Sequence, residues 1–135
     1  MNAIADTGWI VALRNRRDAH HEWAKAIAAG LTLPVLVCEA VLAEAAFHLG
    51  STGEVLKMLR SGALKLSFRL EEHQERISEL GTAYADRKPD LADLCVIRMS
   101  ELFKRNSVLT VDRDDFEIYR RFRDERIPFL APLHK

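Results

Sequence analysis

The segment from Asp86 to Phe116, DRKPDLADLCVIRMSELFKRNSVLTVDRDDF, limits the folds open to this chain more than any other stretch. Pro89 marks a helix start, and Ala92, Cys95, Val96, Met99 and Phe103 follow at i, i+3, i+4, i+7 and i+11, an apolar stripe that must pack on another layer. The helix gives way to Ser107-Val108-Leu109-Thr110-Val111, a β-branched run that stops at Asp112. Such a run reads as a buried strand with an acid at its carboxyl edge, the edge where open α/β sheets bind their ligands.

Other parts of the chain repeat this pattern. Ala3-Ile4-Ala5 is a short apolar run ending at Asp6, after which Thr7-Gly8 turns into a helix through Leu13. Asp6 can be read as the cap of that helix or as a second acid at a strand end. A basic loop, Arg14-Asn15-Arg16-Arg17, leads to a helix over Asp18–Ala29, with His20 and His21 read as surface residues of its first turn. Pro34-Val35-Leu36-Val37 opens a second buried strand. The helix over Cys38–Leu49 is apolar on nearly every side and is therefore expected to be buried, which makes Glu44 conspicuous. Glu44 is either paired with His48 at i+4 or directed at a cation.

Ser51-Thr52-Gly53-Glu54 has the pattern of a capping box. Ala63 to Phe68 alternates as a half-exposed third strand at a sheet edge does, and Leu70–Ala85 spaces Ile77, Leu80 and Tyr84 at helical intervals beneath a solvated acidic face. The tail carries Arg120, Arg121, Arg123 and Arg126, suited either to a polyanion or to pairing with Asp124 and Glu125, before the apolar run Ile127–Leu130. The order predicts about five strands and six or seven helices in one domain over residues 1–135, an α/β sandwich with a mainly parallel sheet.

Composition narrows the function classes. Twenty basic and twenty acidic side chains cancel, so bulk charge gives no general grip on nucleic acid. Cys38 and Cys95 stand apart with no metal-finger spacing, which fits a reducing compartment. Neither a basic leader nor an apolar run of roughly 18 residues is seen, so a cytoplasmic protein with no membrane association is expected. No GxSxG elbow or Gly-rich phosphate loop occurs.

Four carboxylates, Asp6, Glu44, Asp93 and Asp112, thus fall at strand ends or helix flanks that one sheet edge could gather. Asp90 and Asp93 could instead serve only as the cap and third residue of their helix. Clustered carboxylates repel one another unless a cation lies among them. All-oxygen ligands favour Mg²⁺ or Mn²⁺, which can activate water against a phosphodiester.

Four ordered pieces make the chain resemble the PIN domain family, and within it the VapC-type toxin ribonucleases. They are Ile4-Ala5-Asp6-Thr7-Gly8, Val41-Leu42-Ala43-Glu44, Tyr84-Ala85-Asp86 with Asp90-Leu91-Ala92-Asp93, and Leu109-Thr110-Val111-Asp112-Arg113 with Phe116 nearby. The resemblance covers nearly the whole chain. It implies a Rossmann-like three-layer fold with Asp6, Glu44, Asp93 and Asp112 as an acidic quartet, binding Mg²⁺ or Mn²⁺ for endonucleolytic cleavage of RNA. Thr7 and Thr110 match the hydroxyl residues the family keeps beside its first and last acids, and Asp90 and Asp115 are accessory candidates. A homodimer and a cognate antitoxin of a type II toxin–antitoxin system are also implied.

Two alternatives compete with this reading. A receiver-like domain would take a phosphoryl group on an aspartate at a strand end, but no second acid follows Asp6 directly and no lysine follows Val111 until Lys135. A PIN fold that binds RNA or a partner without cutting it would not need an intact quartet.

Overall fold

The structure, a computed structural model, describes residues 1–133; Lys135 lies outside them. Its centre is β1 (Ala3–Ala5), whose three residues are fully buried. A strand covered on both faces must be apolar throughout, which is why this run does not alternate. Chain order then gives α1 (Thr7–Arg14), α2 (His21–Ala28), β2 (Val35–Val37), α3 (Glu39–Leu49), α4 (Thr52–Arg60) and β3 (Leu64–Leu66). A single 3₁₀ turn at Leu70–His73 leads into α5 (Gln74–Ala83), and another at Ala85–Arg87 precedes α6 (Leu91–Leu102) and β4 (Ser107–Leu109). The described chain closes with α7 (Arg113–Ile118), β5 (Arg120–Arg121), β6 (Glu125–Arg126) and β7 (Phe129–Leu130).

Five strands form one parallel sheet in the order β3-β2-β1-β4-β7, with Ile4 opposite Leu36 on one side of β1 and Ala5 opposite Leu109 on the other. The chain leaves β1 toward β2 and later returns to its other side as β4. The connections after β1 and β4 therefore diverge, opening a crevice at their carboxyl ends. Asp6 follows β1 directly and Asp112 follows β4, so topology brings them together across more than a hundred residues.

The expected strand through Val111 is shorter than its apolar run. The strand ends at Leu109, with a last backbone bond from the Thr110 N–H to the Leu130 carbonyl, because the Thr110 hydroxyl turns to Asp6 and accepts the Asp112 N–H. The third strand is at the sheet edge as expected, with Leu64 buried and Leu66 exposed.

Two expectations need correction. The α3 helix packs against α1, α4 and α6 but leaves one apolar side open, with Phe47 81% exposed, so composition alone overstated its burial. The arginine-rich tail pairs Arg121 with Glu125 as expected but is not wholly solvated. It folds into the antiparallel β5–β6 hairpin, where Arg121 is 7% exposed and its Nη1 donates to the carbonyls of Ser100 and Lys104 at the end of α6. A guanidinium there satisfies orphan carbonyls and the negative end of the helix dipole. Arg120 likewise donates to the carbonyls of Glu117, Ile118 and Tyr119, while Arg123 and Arg126 are exposed.

Candidate metal centre

Asp6 is both cap and site residue, because one carboxylate has two oxygens. Its Oδ1 accepts the Thr7 N–H at 2.9 Å, capping α1, while Oδ2 accepts the Thr110 hydroxyl at 2.7 Å. Thr110 Oγ1 in turn accepts the Asp112 N–H at 3.0 Å, so one hydroxyl fixes the acids after β1 and β4 relative to each other. Gly8 permits the close approach of these connections, since a Cβ at that position would run into Val111 Cγ2.

The third acid comes from α6. Asp90 and Asp93 do form a reciprocal capping box, with the Asp93 N–H donating to Asp90 Oδ1 at 2.8 Å and the Asp90 N–H to Asp93 Oδ2 at 3.4 Å. Capping leaves Asp93 free to join the crevice as well. Asp6, Asp93 and Asp112 each present an oxygen, and all three oxygens lie within 4.8 Å of one another. Tyr119, 1% exposed, places its hydroxyl 3.4 Å from Asp93 Oδ2. Sequence reasoning missed Tyr119, whose only signal was its place one turn beyond Asp115.

Glu44 stands beside this trio rather than within it. Its expected i+4 partner His48 does not hold it; the Thr7 hydroxyl donates to Glu44 Oε1 at 2.8 Å, and its carboxyl also meets that of Asp90. Asp115 directs its carboxylate to Arg87 at 2.7 Å.

Among the described residues no lysine or arginine pairs with Asp6, Glu44, Asp93 or Asp112, although ion pairs are common elsewhere in the chain. The electrostatic consequence is direct. Burial pushes the Asp6 carboxyl up to about 7 against the opposing bonds from Thr110 and Thr7. Burial, then the neighbouring charges of Asp90 and Asp6, raises Asp93 to about 7. Asp112, at the more open mouth, is raised by partial burial and by Asp115 and Asp90. Glu44 is raised by burial and by its contact with Asp90, with Thr7 opposing. Carboxylates held together without a cationic partner, each resisting ionisation, are a donor set that a hard divalent cation fits.

Glu44 and Asp112 line a cleft of about 460 Å³ together with Thr7 and Asp90, and also with Asp18, His20 and His48. The histidines belong to this cleft and not to an unrelated surface, which helical spacing within one element could not reveal.

Comparison with known proteins gives a consistent result. The PIN domain family model matches residues 3–125. No curated protein matches the chain. Among solved structures, that of the Mycobacterium tuberculosis toxin VapC20, described as cleaving the sarcin–ricin loop, is similar with a TM-score of 0.71 over 79% of this chain and 87% of that one. At 18% identity this likeness concerns the fold.

Proposed function

Because the chain belongs to the PIN domain family, we propose that it is a metal-dependent endoribonuclease and the toxin of a type II toxin–antitoxin pair, formed by a single domain. The observation that carries the reading is the convergence of Asp6, Asp93 and Asp112 oxygens within 4.8 Å with no basic partner. A PIN fold kept only for binding would gain stability by losing any of these acids. The family match over residues 3–125 also displaces the receiver-like alternative.

Asp6, Asp93 and Asp112 would hold Mg²⁺ or Mn²⁺. A bound cation of this kind supplies Lewis acidity, making water nucleophilic near neutral pH and offsetting charge on the phosphodiester. Thr110 fixes the angle between Asp6 and Asp112, and the Asp90–Asp93 box fixes the start of α6. Glu44, oriented by Thr7, stands at the cleft wall to accept the proton released as water adds to phosphorus, while the P–O bond to the leaving sugar oxygen breaks and that oxygen takes a proton from solvent. Buried Tyr119 orients Asp93 through its hydroxyl.

The toxin assignment draws support from the fold shared with VapC20. No described helix is long and apolar enough to cross a membrane, which accords with a cytoplasmic setting. An antitoxin or a second copy would cover the apolar side of α3 and α4, where Phe47 and Leu56 are 81% and 47% exposed. The test is cleavage of an end-labelled RNA by the purified chain in Mn²⁺, in EDTA, and with Asp6→Asn or Asp93→Asn. Cleavage is expected only for the parent protein with metal. Undiminished cleavage by either folded variant contradicts the proposal.

A further inference from the structure

A strand of RNA entering the 460 Å³ cleft would meet the carboxylates of Asp18, Glu44, Asp90 and Asp112 in its lining. A cation among Asp6, Asp93 and Asp112 would offset that charge only at its centre. The nucleotides on either side of the cut would still face Asp18, Glu44 and Asp90. Among the side chains lining the cleft only His20 and His48 can take a positive charge, and they are also its only aromatic rings. They come from separate elements. His20 immediately precedes α2, and His48 lies in the last turn of α3, one turn beyond Glu44. Neither imidazole makes a hydrogen bond within the described chain. The bonds at His20 are the backbone's, its N–H donating to Asp18 Oδ1 at 2.8 Å and its carbonyl accepting the Ala24 N–H at 2.9 Å, while the ring of His48 meets that of Phe47 edge-to-face, with centroids 5.4 Å apart, and lies near the charge of Glu44.

The other histidines among the described residues are engaged. The ring of His21 contacts the Ala12 carbonyl at 2.7 Å, and that of His73 accepts from Arg98 and stacks on Phe68. The contrast matters because an aromatic ring with spare donor capacity, facing a nuclease cleft, suits a splayed-out nucleotide; it can stack on the base or donate to a phosphate oxygen. Outside the cleft the same connection continues with Arg16 and Arg17, both exposed and without an ion pair among the described residues, whereas Arg14 is tied to Glu54 at 2.7 Å. The α1–α2 connection therefore carries the His20 imidazole and two exposed guanidinium groups close together in the chain.

We infer that His20 and His48 form the substrate wall of this cleft, taking the nucleotide beside the scissile phosphate from unpaired RNA, with Arg16 and Arg17 holding the backbone as the strand leaves. This rests on the ribonuclease reading above, and deepens it by assigning the side chains that would hold the nucleotide beside the cut. Paired RNA keeps its bases stacked on one another and cannot present one to either imidazole.

The test separates binding from cutting. The full chain is titrated with a single-stranded RNA oligonucleotide in EDTA, and cleavage is then followed in Mn²⁺. The protein is compared with His20→Ala/His48→Ala and with His20→Phe/His48→Phe, thermal unfolding confirming that each is folded. Loss of two stacking contacts should weaken binding and raise KM by about tenfold or more with kcat little changed, and the phenylalanine pair should recover part of that loss. Duplex RNA of the same sequence should compete about tenfold less well than the single strand. Affinity and KM unaltered in His20→Ala/His48→Ala, or duplex competing equally, overturns the inference while leaving the nuclease standing. Should the double variant fail to fold, His48→Ala alone, on the exposed side of α3, must still raise KM severalfold or the inference is lost. A protein that binds the strand through both histidines yet cuts nothing in Mn²⁺ overturns the nuclease reading instead. A parent protein that binds no single-stranded RNA overturns both.

Discussion

Thr110 Oγ1 donates a 2.7 Å hydrogen bond to Asp6 Oδ2, joining two buried residues 104 positions apart in the chain. The same oxygen accepts the Asp112 N–H at 3.0 Å, so the crevice between β1 and β4 is set by a single hydroxyl. Thr110→Val keeps the volume and removes both bonds. The expected costs are about 1–3 kcal/mol of stability, from the unsatisfied Asp6 oxygen and Asp112 N–H, and a loss of about 10–100-fold in Mn²⁺ affinity. Urea unfolding and metal titration read the two effects separately.

The raised carboxyls of Asp6 and Asp93, both at about 7, fix a pH dependence. Between the unfolded value near 4 and the folded value near 7 the native state keeps protons that the unfolded chain has released. Their contribution to metal-free stability is therefore fully present below about pH 4, is lost as pH rises toward 7, and levels off above it. The difference in Tm between Asp6→Asn/Asp93→Asn and the parent should grow in the variant's favour from pH 5 to pH 8. A difference that is flat or shrinks over this range is the opposite outcome.

Mn²⁺ requires the ionised carboxylates, so its stabilising effect should run the other way. At about 100 times its Kd a bound ion adds about 2.7 kcal/mol. The resulting rise in Tm should be largest at pH 8 and nearly absent at pH 5. Equal shifts at both pH values would place the ion elsewhere.

Gly8→Ala puts a methyl group into Val111, whose neighbour is Asp112. The overlap should destabilise the protein by about 1–3 kcal/mol, outweighing the smaller gain in helix propensity. Val111→Ala should restore most of the loss in the double variant, as a double-mutant cycle would show.

Glu101 is a second place where burial and charge meet. Its side chain is 1% exposed and pairs with Arg76 at 2.6 Å and Arg98 at 3.0 Å, while the Phe122 N–H in the β5–β6 hairpin donates to Oε2 at 2.7 Å. Burial raises its carboxyl, but Arg76, the Phe122 N–H and Arg98 outweigh this and hold it below the usual range. Glu101→Ala leaves two guanidinium groups and an amide without their acceptor. A loss of about 3–5 kcal/mol in urea unfolding is expected, with RNA cleavage preserved at low temperature where the variant is still folded.

These residues also show what the sequence could and could not reveal. Asp6 and Asp112 were legible because each ends a β-branched or apolar run, and Asp93 because a proline and an apolar stripe located its helix. Periodicity conveys which element a residue belongs to and which side it faces. It does not convey what another element brings opposite. Glu44 was found by its oddity on an apolar helix, yet its partner Thr7 lies 37 residues away and the nearer His48 was the natural guess. The burial of Glu101 and Arg121 runs against their residue types and depends on a hairpin of two-residue strands, too short to announce itself by alternation. His20 was read as a surface residue for the same reason, since the α3 and α6 side of its cleft is invisible from α2 alone.

The most direct test is calorimetric titration of Mn²⁺ into metal-free parent protein and into Asp93→Asn at pH 7.5. Saturable binding by the parent, weakened about 100-fold or more in the variant, is expected if the oxygens of Asp6, Asp93 and Asp112 share one cation. Equal affinity in the two proteins, or no binding by the parent at millimolar Mn²⁺, would contradict a metal centre at the carboxyl ends of β1 and β4.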